Sequence, residues 1–353
     1  MFSEAQKMNL TIKNNVLQWC HLYLKYSENG VFVNCSGTEQ SQCVSEAQGY
    51  GMLIVVQAAA LGWCQQSLFD ALVDYYLVNQ ISSTNCLMSW KQTQLKTKVR
   101  TEKKNQTSAT DGDMDIAYAL FLADELWGDS SPHNYRQIAL GLLNALLERC
   151  FHNKNQLLTI GDWATKEIEY CNLIRSSDLN LHYFSYFYGK TLNESWLKIK
   201  ARAEWTLKYA SRLTETGLIA DFLRIDGQRI EVAESNSLES NYDDAYYWNA
   251  NRLPWRLSLD NNVVAGQIVQ KMLNFFNQQP IIYAGYALSG RPLVMYSSMA
   301  FRAPILFADN YWNEDSQRKE MARNELLDMT LVNEYYADSI YVLVLLKLLK
   351  ESQ

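Results

Sequence analysis

The chain has 353 residues, a net charge of −6 and no basic run longer than Lys103-Lys104, so it lacks the basic stripe that a nucleic-acid partner needs. No stretch approaches about 18 apolar residues in a row, which excludes a sequence-evident membrane span. Seven cysteines without a CxxC pair, and only four histidines, give no zinc signature.

The N-terminus, Met1-Phe2-Ser3-Glu4, has no charged-then-apolar leader, so the chain reads as cytosolic or as lacking an export signal already removed. Apolar residues recur at helical spacing near 7–26, 46–62, 66–79, 112–127, 133–151, 178–187, 193–212, 241–256, 260–277, 296–307, 313–329 and 333–350. Short extended pieces fall between them, at Val31-Phe32-Val33, Leu157-Leu158-Thr159-Ile160 and Leu218-Ile219-Ala220. No Pro- or Gly-rich linker divides the chain, which predicts helical hairpins closed into one domain over 1–353. Cys35 and Cys43 are close enough in sequence to bridge a loop.

The first dense stretch is Ser45-Glu46-Ala47-Gln48-Gly49-Tyr50-Gly51-Met52. Ser45 reads as an N-cap and Gln48 as its capping-box partner, with Gly62 as the stop. Glu46 then lies in the first turn of a buried helix. Gly49 and Gly51 weaken that helix, and room for a bulky ligand is one return for the cost. From Trp90 to Asp111 the chain is polar and reads as an exposed loop. Asp111, Asp113 and Asp115 follow at the start of the next helix, with Asp111 or Gly112 as N-cap. Helical spacing puts Asp113 on the face of Ile116-Ala117 and turns Asp115 elsewhere. Two acids from separate helix starts, Glu46 and Asp113, suit glycoside hydrolysis, with Trp90 and Trp163 as platforms for sugar rings.

These residues carry a resemblance. Ser45 to Met52 resembles the opening motif of glycoside hydrolase family 8, and Ala109 to Trp127 is similar to that family's A-[ST]-D-[AG]-D signature. Ser177-Asp178-Leu179-Asn180-Leu181-His182-Tyr183, Tyr247 to Arg256 and Tyr335-Tyr336-Ala337-Asp338-Ser339 resemble its later segments, in the same order. The resemblance implies an all-α fold, an (α/α)6 barrel of six inner and six outer helices. It implies an inverting, endo-acting hydrolase of β-1,4-linked polysaccharide, cellulose-type glucan first, with chitosan, mixed-linkage glucan and xylan as alternatives. No cofactor or metal is expected, and the protein is expected to be a monomer, secreted or periplasmic. Glu46 falls on the general acid and Asp113 on an acid gripping sugar at the cleavage point. Asp111, Trp90, Tyr183, Arg252, Trp248 and Tyr335 fall among the substrate contacts.

One position departs from the pattern. The family's usual base Asp is Asn249 here, and an amide cannot take a proton from water as a carboxylate does. The residue is an engineered change, or the base lies among Glu231, Glu234, Glu239, Asp243 and Asp244, or the amide relays the proton. If a base is simply missing, Asn249→Asp is expected to raise activity. A sugar-binding protein without catalysis is the rival reading.

Overall fold

The computed structural model describes residues 3–95, 98–128 and 132–351. Among them the helices are α1 (Glu4–Tyr23), α2 (Ser45–Ala60), α3 (Gln66–Val78), α4 (Thr110–Trp127), α5 (Tyr135–Arg149) and α6 (Leu181–Thr191). Then come α7 (Ser195–Ala210), α8 (Leu253–Ser258), α9 (Val263–Phe276), α10 (Met299–Trp312), α11 (Ser316–Asp328) and α12 (Tyr335–Glu351). None of them is long and apolar enough to cross a membrane. Contacts gather the chain into two compact units.

The first unit comprises residues 1–150, 161–165 and 330–353. Its centre is α2, with twelve buried residues, packed on α4. Glycines set that packing: a Cβ on Gly49 would come 2.8 Å from the Asp115 Cβ, and one on Gly51 would come 2.3 Å from Val33 Cγ2. These glycines admit neighbouring chain rather than a ligand, which corrects the sequence reading. Gln48 is no capping-box partner either; Val44 is the N-cap and makes no side-chain bond. The Gln48 amide is buried and donates to the Val31 and Leu72 carbonyls at 3.1 and 2.9 Å, tying α3 to the strand pair β1 (Leu24–Ser27) and β2 (Gly30–Val33). Gly62, at φ +73°, does end the helix as expected.

α1 and α12 are joined by side chains, Trp19 Nε1 to Ser339 Oγ at 2.9 Å and Tyr23 Oη to Asp338 Oδ2 at 2.6 Å. The region read as an exposed loop after Trp90 is partly sheet. β3 (Gln42–Val44) pairs antiparallel with β6 (Lys91–Leu95), and β6 with β7 (Lys98–Arg100). Between them in sequence, β4 (Gln80–Ser82) and β5 (Asn85–Met88) form a hairpin. None of the seven cysteines is in a disulfide, so Cys35 and Cys43 form no bridge; Cys35 Sγ donates to the Gln42 carbonyl and Cys43 Sγ to Gln48 Oε1.

The second unit comprises residues 151–160 and 166–329. It holds the pair β8 (Phe151–His152) and β9 (Leu157–Leu158), and a sheet of β10 (Leu173–Arg175), β11 (Phe222–Asp226) and β12 (Arg229–Val232). The helix expected over 241–256 survives only as α8, preceded by a 3-10 turn at Ala250–Arg252. The reason is the Asp221 carboxylate, which draws the Tyr247, Asn249 and Ala250 N–H groups at 2.9, 3.0 and 2.7 Å and so holds that backbone off the helical path. α10 contains Pro304, which cannot donate to the Ala300 carbonyl. Asn251 Nδ2 donates to that carbonyl instead, at 3.2 Å, and anchors the turn to α10.

Candidate active site

In the first unit, Glu46 enters at the first turn of α2 and is half-buried. The helix start is held by the Ser45 N–H donating to the Trp90 carbonyl at 2.9 Å, while the Trp90 N–H donates to Thr107 at 2.8 Å. Trp90 is thereby fixed beside Glu46's helix, with Lys91 Nζ 5.7 Å from its ring centroid. Glu46 acts on Tyr335 at the start of α12. Burial pushes the Tyr335 phenol well above its usual range and the Glu46 charge adds to the push. The Tyr335 hydroxyl is buried with no hydrogen-bond partner among the described residues.

α4 brings Asp111 and Asp113 in its first turn, capped by Ala109 rather than by Asp111 or Gly112. Asp113 is fully buried. Its Oδ1 accepts the Met88 N–H at 2.8 Å, and Oδ2 has no partner among the described residues. Burial pushes its carboxyl well above the usual range, against the Met88 bond; Asp162 and Asp111 push further in the same direction. A carboxyl that keeps its proton in such surroundings can donate to a sugar hydroxyl and accept at the same time. Asp115 is also buried, but on the α2 side, against Gly49. Trp163 is half-buried beside Gly161, where a Cβ would meet its Nε1 at 2.7 Å.

In the second unit, Asn249 and Arg252 flank the 3-10 turn. Arg252 is fully buried. Its Nη2 donates to Asn249 Oδ1 at 2.9 Å and to Ser177 Oγ at 2.8 Å. The Asn249 amide nitrogen donates to Glu239 Oε2 at 2.9 Å and to Asp221 Oδ2 at 3.3 Å. Burial pushes Asp221 up to about 7, against the three backbone N–H donors that pull it down. Arg175 is the second cation here: Nη2 donates to Glu239 Oε1 at 2.8 Å and Nη1 to Asp178 Oδ2 at 3.2 Å. Trp248 is half-buried, edge-on to Phe301 at 5.0 Å. Tyr183 is buried on α6, tilted against Phe187 at 5.7 Å.

The five acids considered as alternatives to residue 249 separate clearly. Glu231 pairs with Arg229 at 2.6 Å, and Glu234 with Arg224 at 2.8 Å, which holds the Glu234 carboxyl below its usual range. Asp244 is exposed. Asp243 is buried and accepts the Leu238, Glu239 and Ser240 N–H groups at 2.7, 3.0 and 2.9 Å. It shapes the loop that presents Glu239. Only Glu239 touches Asn249, and 42 % of its side chain stays open to solvent.

The structure thus gathers Glu46, Asp111, Asp113, Trp90 and Tyr335 in the first unit, and Tyr183, Trp248, Asn249 and Arg252 in the second. Asp221 and Arg175 were not foreseen. The only sequence trace of Asp221 is that it follows the apolar Leu218-Ile219-Ala220.

Acids at the starts of separate helices, one of them fully buried, together with half-buried aromatic rings, fit a carboxylate-based glycoside hydrolase. The sequence pattern of "Glycosyl hydrolases family 8" matches residues 3–348. The chain belongs to that family. A Beta-glucanase of Niallia circulans is 31% identical over 84% of this chain and 74% of its own length. An Endoglucanase of Bacillus sp. (strain KSM-330) is 28% identical over 97% of this chain and 76% of its own. Among solved structures, the apo Beta-1,3-1,4-glucanase from Paenibacillus sp. X4 superposes with a TM-score of 0.89 at 28% identity, over 99% of this chain and 93% of that one. Family and helix content together give the fold class expected from the sequence, the all-α (α/α)6 barrel.

Proposed function

We propose that this family 8 enzyme hydrolyses β-1,4-linked glucan internally and with inversion, with Glu46 as general acid and Glu239 as general base. Glu46 gives its proton to the glycosidic oxygen as the bond to the anomeric carbon breaks. A water attacks that carbon from the opposite face and its proton passes to Glu239, leaving a hemiacetal of inverted configuration. The observation that carries this reading is the 2.9 Å bond from the Asn249 amide to Glu239 Oε2. The amide occupies the position of the usual base and hands a fixed orientation to the neighbouring carboxylate. Arg175 holds the other Glu239 oxygen, and Arg252 fixes the Asn249 amide so that its NH2 faces Glu239.

Asp113 and Asp111 grip sugar hydroxyls, and Trp90, Tyr183, Trp248, Tyr335 and Arg252 supply further contacts. Cellulose-type glucan leads as substrate. Mixed-linkage glucan is the second reading, favoured by the likeness to the Beta-1,3-1,4-glucanase from Paenibacillus sp. X4. A polymeric substrate puts the enzyme outside the cytoplasm, secreted or periplasmic, acting as a monomer. The family match running from residue 3 to 348 supports one catalytic domain over 1–353.

The test compares the parent with Glu239→Gln by reducing-sugar release from carboxymethylcellulose, mixed-linkage glucan, chitosan and xylan. A loss of about 10²-fold or more on the best polymer, with binding retained, is expected. Turnover within threefold of the parent moves the base elsewhere. Binding without turnover by the parent on all four polymers turns the protein into a sugar-binding module.

A further inference from the structure

The C-terminal ends of α2, α4 and α12 enclose a groove of about 360 Å³ in the first unit. That volume lies within the range of small-molecule sites. Its walls are Val56, Leu61, Leu122, Leu126, Leu346 and Leu349. Lys347 also lines it and is only 8% exposed. A lysine buried in apolar surroundings is unusual without a carboxylate partner. Lys347 makes no hydrogen bond or ion pair among the described residues; its Nζ lies over the Tyr118 ring, 5.7 Å from the centroid. Burial lowers its ammonium to about 8, and Lys350 lowers it further while Glu351 opposes. The other titratable groups lining the groove are Glu125 on α4 and Lys350 on α12, and Tyr118 of α4 faces the Lys347 ammonium; α2 adds only the neutral Gln57. Glu125 and Lys350 are exposed at the rim, so the one charge within the apolar part is positive.

We propose that this groove binds a free single-chain aliphatic carboxylate of about decanoate size, its head group on the Lys347 ammonium and its tail along the leucine walls. Two features select that class. The apolar walls reward an alkyl chain, because each CH₂ group buried against them leaves water. The unpaired ammonium rewards one anionic head group, which restores the charge partner that burial has removed. No aromatic ring lines the groove for a sugar to stack on. Glu46 lies at the opposite end of α2, roughly 20 Å along the helix axis. Occupancy of the groove therefore leaves sugar binding alone and stabilises the three helices that carry Glu46, Asp113 and Tyr335.

The test is calorimetric titration of the whole protein with decanoate below its micellar concentration, beside decan-1-ol and decyltrimethylammonium. Expected is saturable 1:1 binding of decanoate at pH 7, weaker by about tenfold or more for the alcohol and for Lys347→Met, as loss of a charged hydrogen bond predicts. Binding to the parent also weakens as pH rises above about 8 and Lys347 loses its proton. A second measurement uses only the parent. Trinitrobenzenesulfonate labelling of Lys347, read by peptide mass spectrometry, slows when decanoate is present. Equal affinity for decanoate and decan-1-ol, unchanged affinity in a folded Lys347→Met, no protection of Lys347, or no binding at all each overturn the proposal.

Discussion

Gly112 lies directly against the backbone of Glu46. A Cβ added at Gly112 would fall 2.6 Å from the Glu46 nitrogen and 2.5 Å from the Ser45 carbonyl carbon. No side chain fits there, so α4 approaches the start of α2 until the two first turns touch. That contact sets Asp111 and Asp113 in register with Glu46.

Gly112→Ala therefore has to move backbone, not a flexible side chain. We expect a loss of about 1–3 kcal/mol in denaturant unfolding, together with a fall in turnover. Gly189→Ala is the control. Gly189 sits in α6 with nothing within 4 Å of its added Cβ, and the same change there adds about 0.5–1 kcal/mol. Similar stability changes of the same sign in both variants would remove the packing argument.

Glu46→Gln keeps the shape and hydrogen-bonding reach of the side chain but cannot supply a proton. Turnover on soluble glucan should fall by roughly 10²–10⁴-fold, with oligosaccharide affinity within a few-fold of the parent. Turnover within threefold rejects Glu46 as the acid.

Asn249→Asp reads differently with the structure in hand. The new carboxylate would stand where an amide now donates to Glu239 at 2.9 Å and to Asp221 at 3.3 Å. Two like charges at that range hold back a proton and raise an apparent pKa. We expect lower turnover at pH 5 by about tenfold, with the acidic limb of the pH–rate profile moved upward. A hundredfold gain would instead restore position 249 as the base, with Glu239 a bystander.

Asp221 makes stability depend on pH. Its folded-state value, about 7, stands above the free value of 3.8. Folding therefore takes up a proton between these values. The stability this group supplies is complete below about pH 4 and is lost as pH rises through about 7, by an amount of order a few kcal/mol. Unfolding midpoints at pH 5 and pH 8.5 measure it. Asp221→Asn lowers both midpoints by removing an acceptor, and should shrink the difference between them. An unchanged difference assigns the pH dependence to other groups, Asp113 and Asp338 being the next with raised values.

The parts legible in sequence are those where a residue type has few structural uses. Helical periodicity locates α2, α4 and α12, and the acids in their motifs point to sugar chemistry. The glycines at 49, 51 and 112 were visible too, but their purpose was not, because close approach depends on what lies opposite. Asp221 escaped notice because its partners are backbone N–H groups, which every residue but proline carries. Those same bonds defeated the helix expected at 241–256, where the apolar spacing was real and a buried carboxylate overrode it. Glu239 was one of five acids in a row of candidates, and only the loop fold around Asp243 set it apart. Lys347, in the apolar run of α12, gives no sequence sign that its ammonium is enclosed.

The bonds from Trp19 to Ser339 and from Tyr23 to Asp338 join residues 320 and 315 positions apart. A ribosome adding about 5–20 residues per second needs roughly 16–60 s to cover that span. Through that interval α1 exists without α12, and Ile12, Val16 and Trp19, all fully enclosed in the finished protein, lack the part of their cover that α12 supplies. α1 is thus made early but fully seated late, and the nascent chain carries an apolar stripe that a chaperone can hold until α12 emerges.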